Sequence, residues 1–167
     1  MPSPNQPFIL IVDDNATNLS VLSQALKAAG YKVRIAVDGE DALAQVERHR
    51  PELILLDIEM PKMDGFETCR RLQANPETEG IPVIFMTALT ETENKVKGLS
   101  LGAVDYITKP FEEAEVLARV KIHWRLKCLT DSLEQQVSDR TQALQQAQLQ
   151  LVQQEKLSAL GQLVAGV

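Results

Sequence analysis

Short apolar runs alternate with stretches of helical periodicity from Phe8 to about Trp124. Phe8-Ile9-Leu10-Ile11-Val12 is a continuous apolar run, as expected of a strand buried on both faces. Leu19, Leu22, Leu26 and Ala29 then share one helical face, and Gly30 closes that segment. Val33 to Val37 predicts a second strand. Asp41 to His49 predicts a helix with Ala42, Leu43 and Val46 inward, stopped by Pro51. Leu53 to Leu56 is a third apolar run, ending at Asp57, and Phe66, Cys69 and Leu72 mark a third helix. Pro82 to Thr87 predicts a fourth strand, Val96 and Leu99 mark a fourth helix ending near Gly102, and Asp105 to Thr108 predicts a short fifth strand. A last helix starts after Pro110. Repeated strand-then-helix units imply an α/β protein with a parallel sheet covered on both faces. Right-handed crossovers then favour a flavodoxin-like, doubly wound five-stranded sheet of order 2-1-3-4-5.

The polar residues that interrupt this pattern fall in one place. Asp13 and Asp14 follow the first strand, Asp57 follows the third, Thr87 ends the fourth and Lys109 follows the fifth. All five therefore lie at carboxyl ends of parallel strands, the rim where open sheets bind ligands. Taken singly, an Asp after a strand is often a helix cap and Lys109 a solvated lysine; their convergence is the signal. Crowded carboxylates repel, and one stays protonated unless a cation enters. Mg2+, a hard cation with oxygen ligands, suits such a site. A metal, a lysine and a hydroxyl are what phosphoryl transfer requires, and an aspartate can be the nucleophile.

Ile9 to Asp14 (I-L-I-V-D-D), Leu55 to Gly65 (L-L-D-I-E-M-P-K-M-D-G), Thr87-Ala88 and Asp105 to Phe111 (D-Y-I-T-K-P-F) resemble the receiver domain of two-component response regulators. The resemblance covers about residues 7–125. It implies that Asp57 accepts a phosphoryl group from a phosphohistidine donor, a histidine kinase or phosphotransfer protein. It further implies that Asp13, Asp14, Asp57 and the backbone carbonyl of Glu59 hold Mg2+. Thr87 then binds a phosphoryl oxygen, Lys109 pairs with the phosphoryl group, and Tyr106 is the aromatic switch. Pro110 is the proline after that lysine, often preceded by a cis bond. Glu59 and Leu89 fall where the family tunes acyl-phosphate lifetime. The only catalysis implied for the chain itself is its own phosphorylation and dephosphorylation.

The 167 residues allow one domain plus an extension. From Glu112 onward there is no proline, and no glycine until Gly161, so a helix of roughly 70–80 Å is expected. Leu126, Leu129, Leu133, Val137, Leu144, Ala147 and Leu151 form a seam at spacings of three, four and seven, with a stutter at 129–133–137 and Arg140 in a seam position. A parallel homodimer is the expected partner arrangement. Leu133 to Ala147 resembles the signalling helix that precedes histidine kinases. Glu155 to Val167 resembles the opening of the kinase dimerisation helix, before its phosphorylated histidine. The expected organisation is a receiver over 7–125, a coiled-coil signalling helix over 126–154 and the start of a dimerisation helix over 155–167. The resemblance implies the front portion of a hybrid histidine kinase, with the catalytic part expected outside these residues. A stand-alone response regulator with a coiled-coil tail is the alternative.

A net charge of −6 argues against a nucleic-acid reader. Cys69 and Cys128 form no disulfide or metal pattern, and no stretch is apolar enough to span a membrane, so a cytoplasmic location is expected. His49 and His123 read as surface or helix-face residues.

Overall fold

The computed structural model describes residues 6–88 and 92–165. Leu89 lies outside the described residues. Five strands and five helices alternate: β1 (Ile9–Val12), α1 (Ala16–Ala28), β2 (Val33–Ala36), α2 (Gly39–Arg48), β3 (Leu53–Asp57), α3 (Gly65–Ala74), β4 (Val83–Ala88), α4 (Thr92–Ser100), β5 (Asp105–Lys109) and α5 (Glu113–Ala165). The strands form one parallel sheet in the order β2-β1-β3-β4-β5, as the sequence pattern predicts.

Alternating side chains feed two cores. Ile9, Ile11, Leu53, Leu55, Ile84, Met86 and Ile107 pack against Leu19, Leu22 and Leu26 of α1 and Val116 and Val120 of α5. On the other face, Leu10, Val12, Ile54, Leu56, Val83 and Phe85 meet α2 and α3 through Ala42, Val46, Phe66, Cys69 and Leu72. Each fully buried aliphatic side chain contributes about 1.5–3 kcal/mol relative to exposure, so the central strands anchor the domain. That explains the unbroken apolar runs: β1 and β3 have no solvent face.

The caps explain where helices begin. The Asn15 side chain accepts from the amides of Thr17 and Asn18, so Asn15, rather than Asp13 or Asp14, caps α1. Asp38 caps α2 and Asp64 caps α3 in the same way. The Asp38 cap places the start of α2 at Gly39, two residues before the expected Asp41. Gly30 and Gly102 take positive φ where the chain leaves α1 and α4.

Three details differ from what the sequence pattern suggests. Val96 and Leu99 do mark α4, but they are 61% and 47% exposed; the buried residue is Gly98, where a Cβ would stand 2.6 Å from the Phe85 ring. A glycine leaves no hydropathy signal, so periodicity does not reveal the packed face of α4. Val37 lies beyond β2 and is 54% exposed. Ala29 is exposed, and Ala25 takes the inner position on α1.

The chain divides into two units, Met1–Lys127 and Cys128–Val167. The second is helical through Ala165 and exposes Leu129, Leu133, Val137, Leu144 and Leu151. Cys69 is buried and Cys128 exposed, and both are free thiols. No helix among the described residues is long and apolar enough to cross a membrane.

Candidate functional site

Register brings the site together. Val12 is level with Leu56 on β3, so Asp13 and Asp57 leave adjacent strands side by side. Asp57 is level with Met86, while Thr87 is level with Thr108 and Ala88 with Lys109. Residues from four strand ends thus share one rim of the sheet. Carboxylate oxygens of Asp13, Asp14 and Asp57 all lie within 4.8 Å of one another. Asp13 and Asp57 are buried and Asp14 is exposed. Oxygen donors clustered this closely fit a hard divalent cation such as Mg2+.

Lys109 Nζ donates to Asp57 Oδ1 at 2.8 Å and stands 3.6 Å from Asp13 Oδ2. The Asn15 amide donates to Asp13 Oδ1 at 2.9 Å, and Asn18 Nδ2 to Asp13 Oδ2 at 3.0 Å. Asp13 is therefore fixed by the first turn of α1. The Glu59 amide donates to Asp57 Oδ1 at 3.4 Å, which places the Glu59 backbone beside the cluster. The Glu59 side chain is exposed.

Burial pushes the Asp57 carboxyl up to about 6; the Lys109 hydrogen bond pulls it down, and the Asp13 charge pushes it up again. Burial opposes the Lys109 ammonium, but Asp57 and Asp13 outweigh that and hold its pKa above the ordinary value. Thr87 is 3% exposed, and its Oγ1 is a buried polar atom with no hydrogen-bond partner. A buried hydroxyl left unpaired costs roughly 1–3 kcal/mol, so a partner is expected when the site is loaded.

The peptide between Lys109 and Pro110 is cis. Tyr106 is half-buried at the edge of the core, with Lys95 Nζ 4.6 Å and the Arg119 guanidinium 5.7 Å from its ring centre. Gly65 opens α3 so close to the backbone of Asp57 that a Cβ there would collide with the Asp57 carbonyl oxygen.

Sequence reasoning missed two sets of residues. Asn15 and Asn18 fix Asp13, and the signal was an Asn at the cap and another one turn into the helix. His123 is a helix-face residue of α5 rather than a surface one, and the missed feature is its partner: its side chain is 14% exposed and its Nε2 lies 2.9 Å from Asp105 Oδ2. Arg119 Nη1 binds the other oxygen of Asp105 at 2.7 Å. Burial raises the Asp105 pKa, but these partners outweigh it and hold the carboxyl below its ordinary value. The spacing of Arg119 and His123 places both on one face of α5, but their shared acceptor lies on a different element.

The sequence profile of the response regulator receiver domain matches residues 9–121. Over 127 residues the chain is 44% identical to the response regulator PleD of Caulobacter vibrioides, covering 76% of this chain and 28% of PleD. It is 42% identical over 146 residues to the DNA-binding dual master transcriptional regulator RpaA of Synechocystis, covering 87% of this chain and 59% of RpaA. The chain thus spans less than two thirds of the length of either relative. Among solved structures, the receiver domain of a signal transduction histidine kinase from Syntrophus aciditrophicus matches with a TM-score of 0.67 and 36% identity, covering 72% of this chain and 91% of that one. The chemotaxis protein CheY4 of Vibrio cholerae matches with a TM-score of 0.66 and 32% identity, covering 70% and 97%. With the profile, the strand order and these relatives in agreement, the chain belongs to the family of response regulator receiver domains.

Proposed function

We propose that the chain is a phosphorelay receiver whose Asp57 takes a phosphoryl group from a phosphohistidine. The observation that carries the reading is a buried carboxylate, paired with Lys109 and next to Asp13, beside an unpartnered Thr87 hydroxyl. An Asp57 oxygen forms the O–P bond as the P–N bond of the donor breaks. The imidazole leaves with the electron pair and is neutral after taking a proton from solvent. Lys109 balances charge on the transferring oxygens, and the Thr87 hydroxyl donates to one of them. Asp13, Asp14, Asp57 and the Glu59 backbone carbonyl would hold Mg2+. When bound, it supplies positive charge against the phosphoryl oxygens. Water cleaves the acyl phosphate to restore the carboxylate and release phosphate.

Once Thr87 is drawn to the phosphoryl group, Tyr106 turns inward and the surface around it changes shape, a bistable element biased by local charge. In this reading residues 7–125 are the receiver, 126–154 a coiled-coil signalling helix that pairs with a second copy in parallel, and 155–167 the start of a kinase dimerisation helix. The larger protein is then a cytoplasmic hybrid histidine kinase. A stand-alone regulator with a coiled-coil tail is the second reading, favoured by the names of PleD and RpaA as regulators.

The test is phosphoryl uptake from acetyl phosphate with Mg2+, read by intact mass. One phosphoryl group on the chain and none on Asp57→Asn is the expected result; uptake by both variants would overturn the assignment. Beryllofluoride, a phosphoryl mimic, tests the switch: an unchanged Tyr106 orientation removes it. The residues encoded beyond Val167 decide between the two larger readings.

A further inference from the structure

A second polar feature lies at the opposite end of the sheet from the carboxylates. A cavity of about 550 Å³ opens where α1 ends, β2 begins and α5 passes, with Pro7, Tyr31, Lys32, Lys121, Trp124 and Arg125 in its wall. That volume falls within the range of small-molecule sites. The Trp124 and Tyr31 rings meet edge to face, with centroids 5.2 Å apart and planes at 65°. Lys121, Trp124 and Arg125 lie on one face of α5 by their spacing.

The charge pattern is what asks for a ligand. Among the described residues, three cations line the cavity and no carboxylate does. Among the described residues, none of Lys32, Lys121 and Arg125 is in a salt bridge. The chain carries a net charge of −6, so such a concentration is not a general property of its surface. The carboxyl end of α1 contributes about half a negative charge nearby, well short of balancing three full positive ones. Residues 1–5 precede the wall residues Gln6 and Pro7 and contain no carboxylate to balance them.

We propose that this cavity binds a small phosphorylated molecule with a planar ring, of the nucleoside-phosphate class. The ring lies against the aromatic wall, and the phosphates meet the lysines and Arg125, whose fork suits phosphate oxygens. The site is separate from Asp57 and does not depend on its phosphorylation.

Trp124 is the single tryptophan of the chain, so its fluorescence reports the cavity directly. ADP is titrated into the full chain in chelator, with adenosine and inorganic pyrophosphate as separate arms. The expected result is a saturable change with ADP, and affinities at least about tenfold weaker for either half alone. Lys121→Gln and Arg125→Gln each weaken ADP by roughly tenfold, the usual loss for a charged hydrogen bond. Lys109→Gln, at the other end of the sheet, leaves the ADP affinity unchanged. No saturable change at millimolar ADP overturns the proposal, as does binding that is indifferent to Lys121→Gln and Arg125→Gln. Pyrophosphate binding as tightly as ADP overturns the ring contact, and adenosine binding as tightly overturns the phosphate contact.

Discussion

Lys109 Nζ and Asp57 Oδ1 lie 2.8 Å apart across 52 residues of sequence. That ion pair closes the carboxylate rim. Lys109→Met leaves Asp57 buried beside Asp13 with no compensating charge. The Asp57 pKa is expected to rise further above 6, and uptake from acetyl phosphate to fall by about 100-fold, as for loss of other charge-stabilising donors. Rate measurements at fixed Mg2+ check this; an unchanged rate would remove Lys109 from the chemistry.

The raised Asp57 pKa makes the metal-free protein sensitive to pH. The folded state holds this proton more tightly than the unfolded chain, whose carboxyl titrates near 3.8. Asp57 therefore contributes stability in full below about pH 4, and the contribution is lost as pH rises through 6. Urea unfolding in chelator should show a loss of about 1 kcal/mol from this group between pH 5 and pH 8. Asp57→Asn should flatten that slope, and a variant with the full slope would assign it elsewhere. Protons compete with Mg2+ for the same oxygens, so Mg2+ should stabilise the wild type more at pH 8 than at pH 5.

Thr87 separates stability from function. Its buried hydroxyl has no partner, so Thr87→Val should leave the unfolding free energy unchanged or raise it by up to about 1 kcal/mol. Phosphoryl uptake should nonetheless drop by roughly tenfold or more, for want of a donor. A strongly destabilised Thr87→Val would mean that the hydroxyl is already engaged in the folded protein.

Two glycines should respond oppositely to alanine. At Gly65 the added methyl meets the backbone oxygen of Asp57, which cannot move aside without shifting the site. Gly65→Ala should cost about 2–4 kcal/mol. Gly161 sits in a helix with nothing within 4 Å of a built Cβ, and Gly161→Ala should gain about 0.5–1 kcal/mol of helix stability. Thermal melts of the full chain, with helix content followed separately for Gly161→Ala, read both.

The exposed leucines of the second unit give the proposed pairing a direct test. Leu133 and Leu144 are 60% and 66% exposed in a single chain. Sedimentation equilibrium should find a dimer for the wild type and a monomer for the double variant Leu133→Lys, Leu144→Lys. A wild-type monomer at high micromolar concentration would refute the parallel pairing.

The sheet was legible because β1, β3 and β4 are buried on both faces, and such strands write themselves as unbroken apolar runs. The rim was legible for a related reason: in a parallel sheet every strand ends on the same side, so residues distant in sequence can be assigned to one place. Packing by absence was not legible. Gly98 seats α4 on Phe85 by having no side chain, while the apolar Val96 and Leu99 face solvent. Partners across elements were equally hidden. Asp105 accepts from both Arg119 and His123, and nothing in the α5 sequence alone reveals an acceptor on β5. Asn18 was passed over because an asparagine one turn into a helix ordinarily faces water.

The two thiols give the protein a built-in handle for a probe. Burial pushes the Cys69 thiol up to about 11, so it is both enclosed and almost wholly protonated near neutrality. Cys128 is open to reagents and begins the second unit. A maleimide or nitroxide added to the unaltered chain is therefore expected to mark Cys128 rather than Cys69, and in the proposed parallel pair the two labels would sit at equivalent points of two helices. The separation of those labels, measured with and without beryllofluoride, would turn the register of that proposed pair into a directly readable distance without any engineered cysteine.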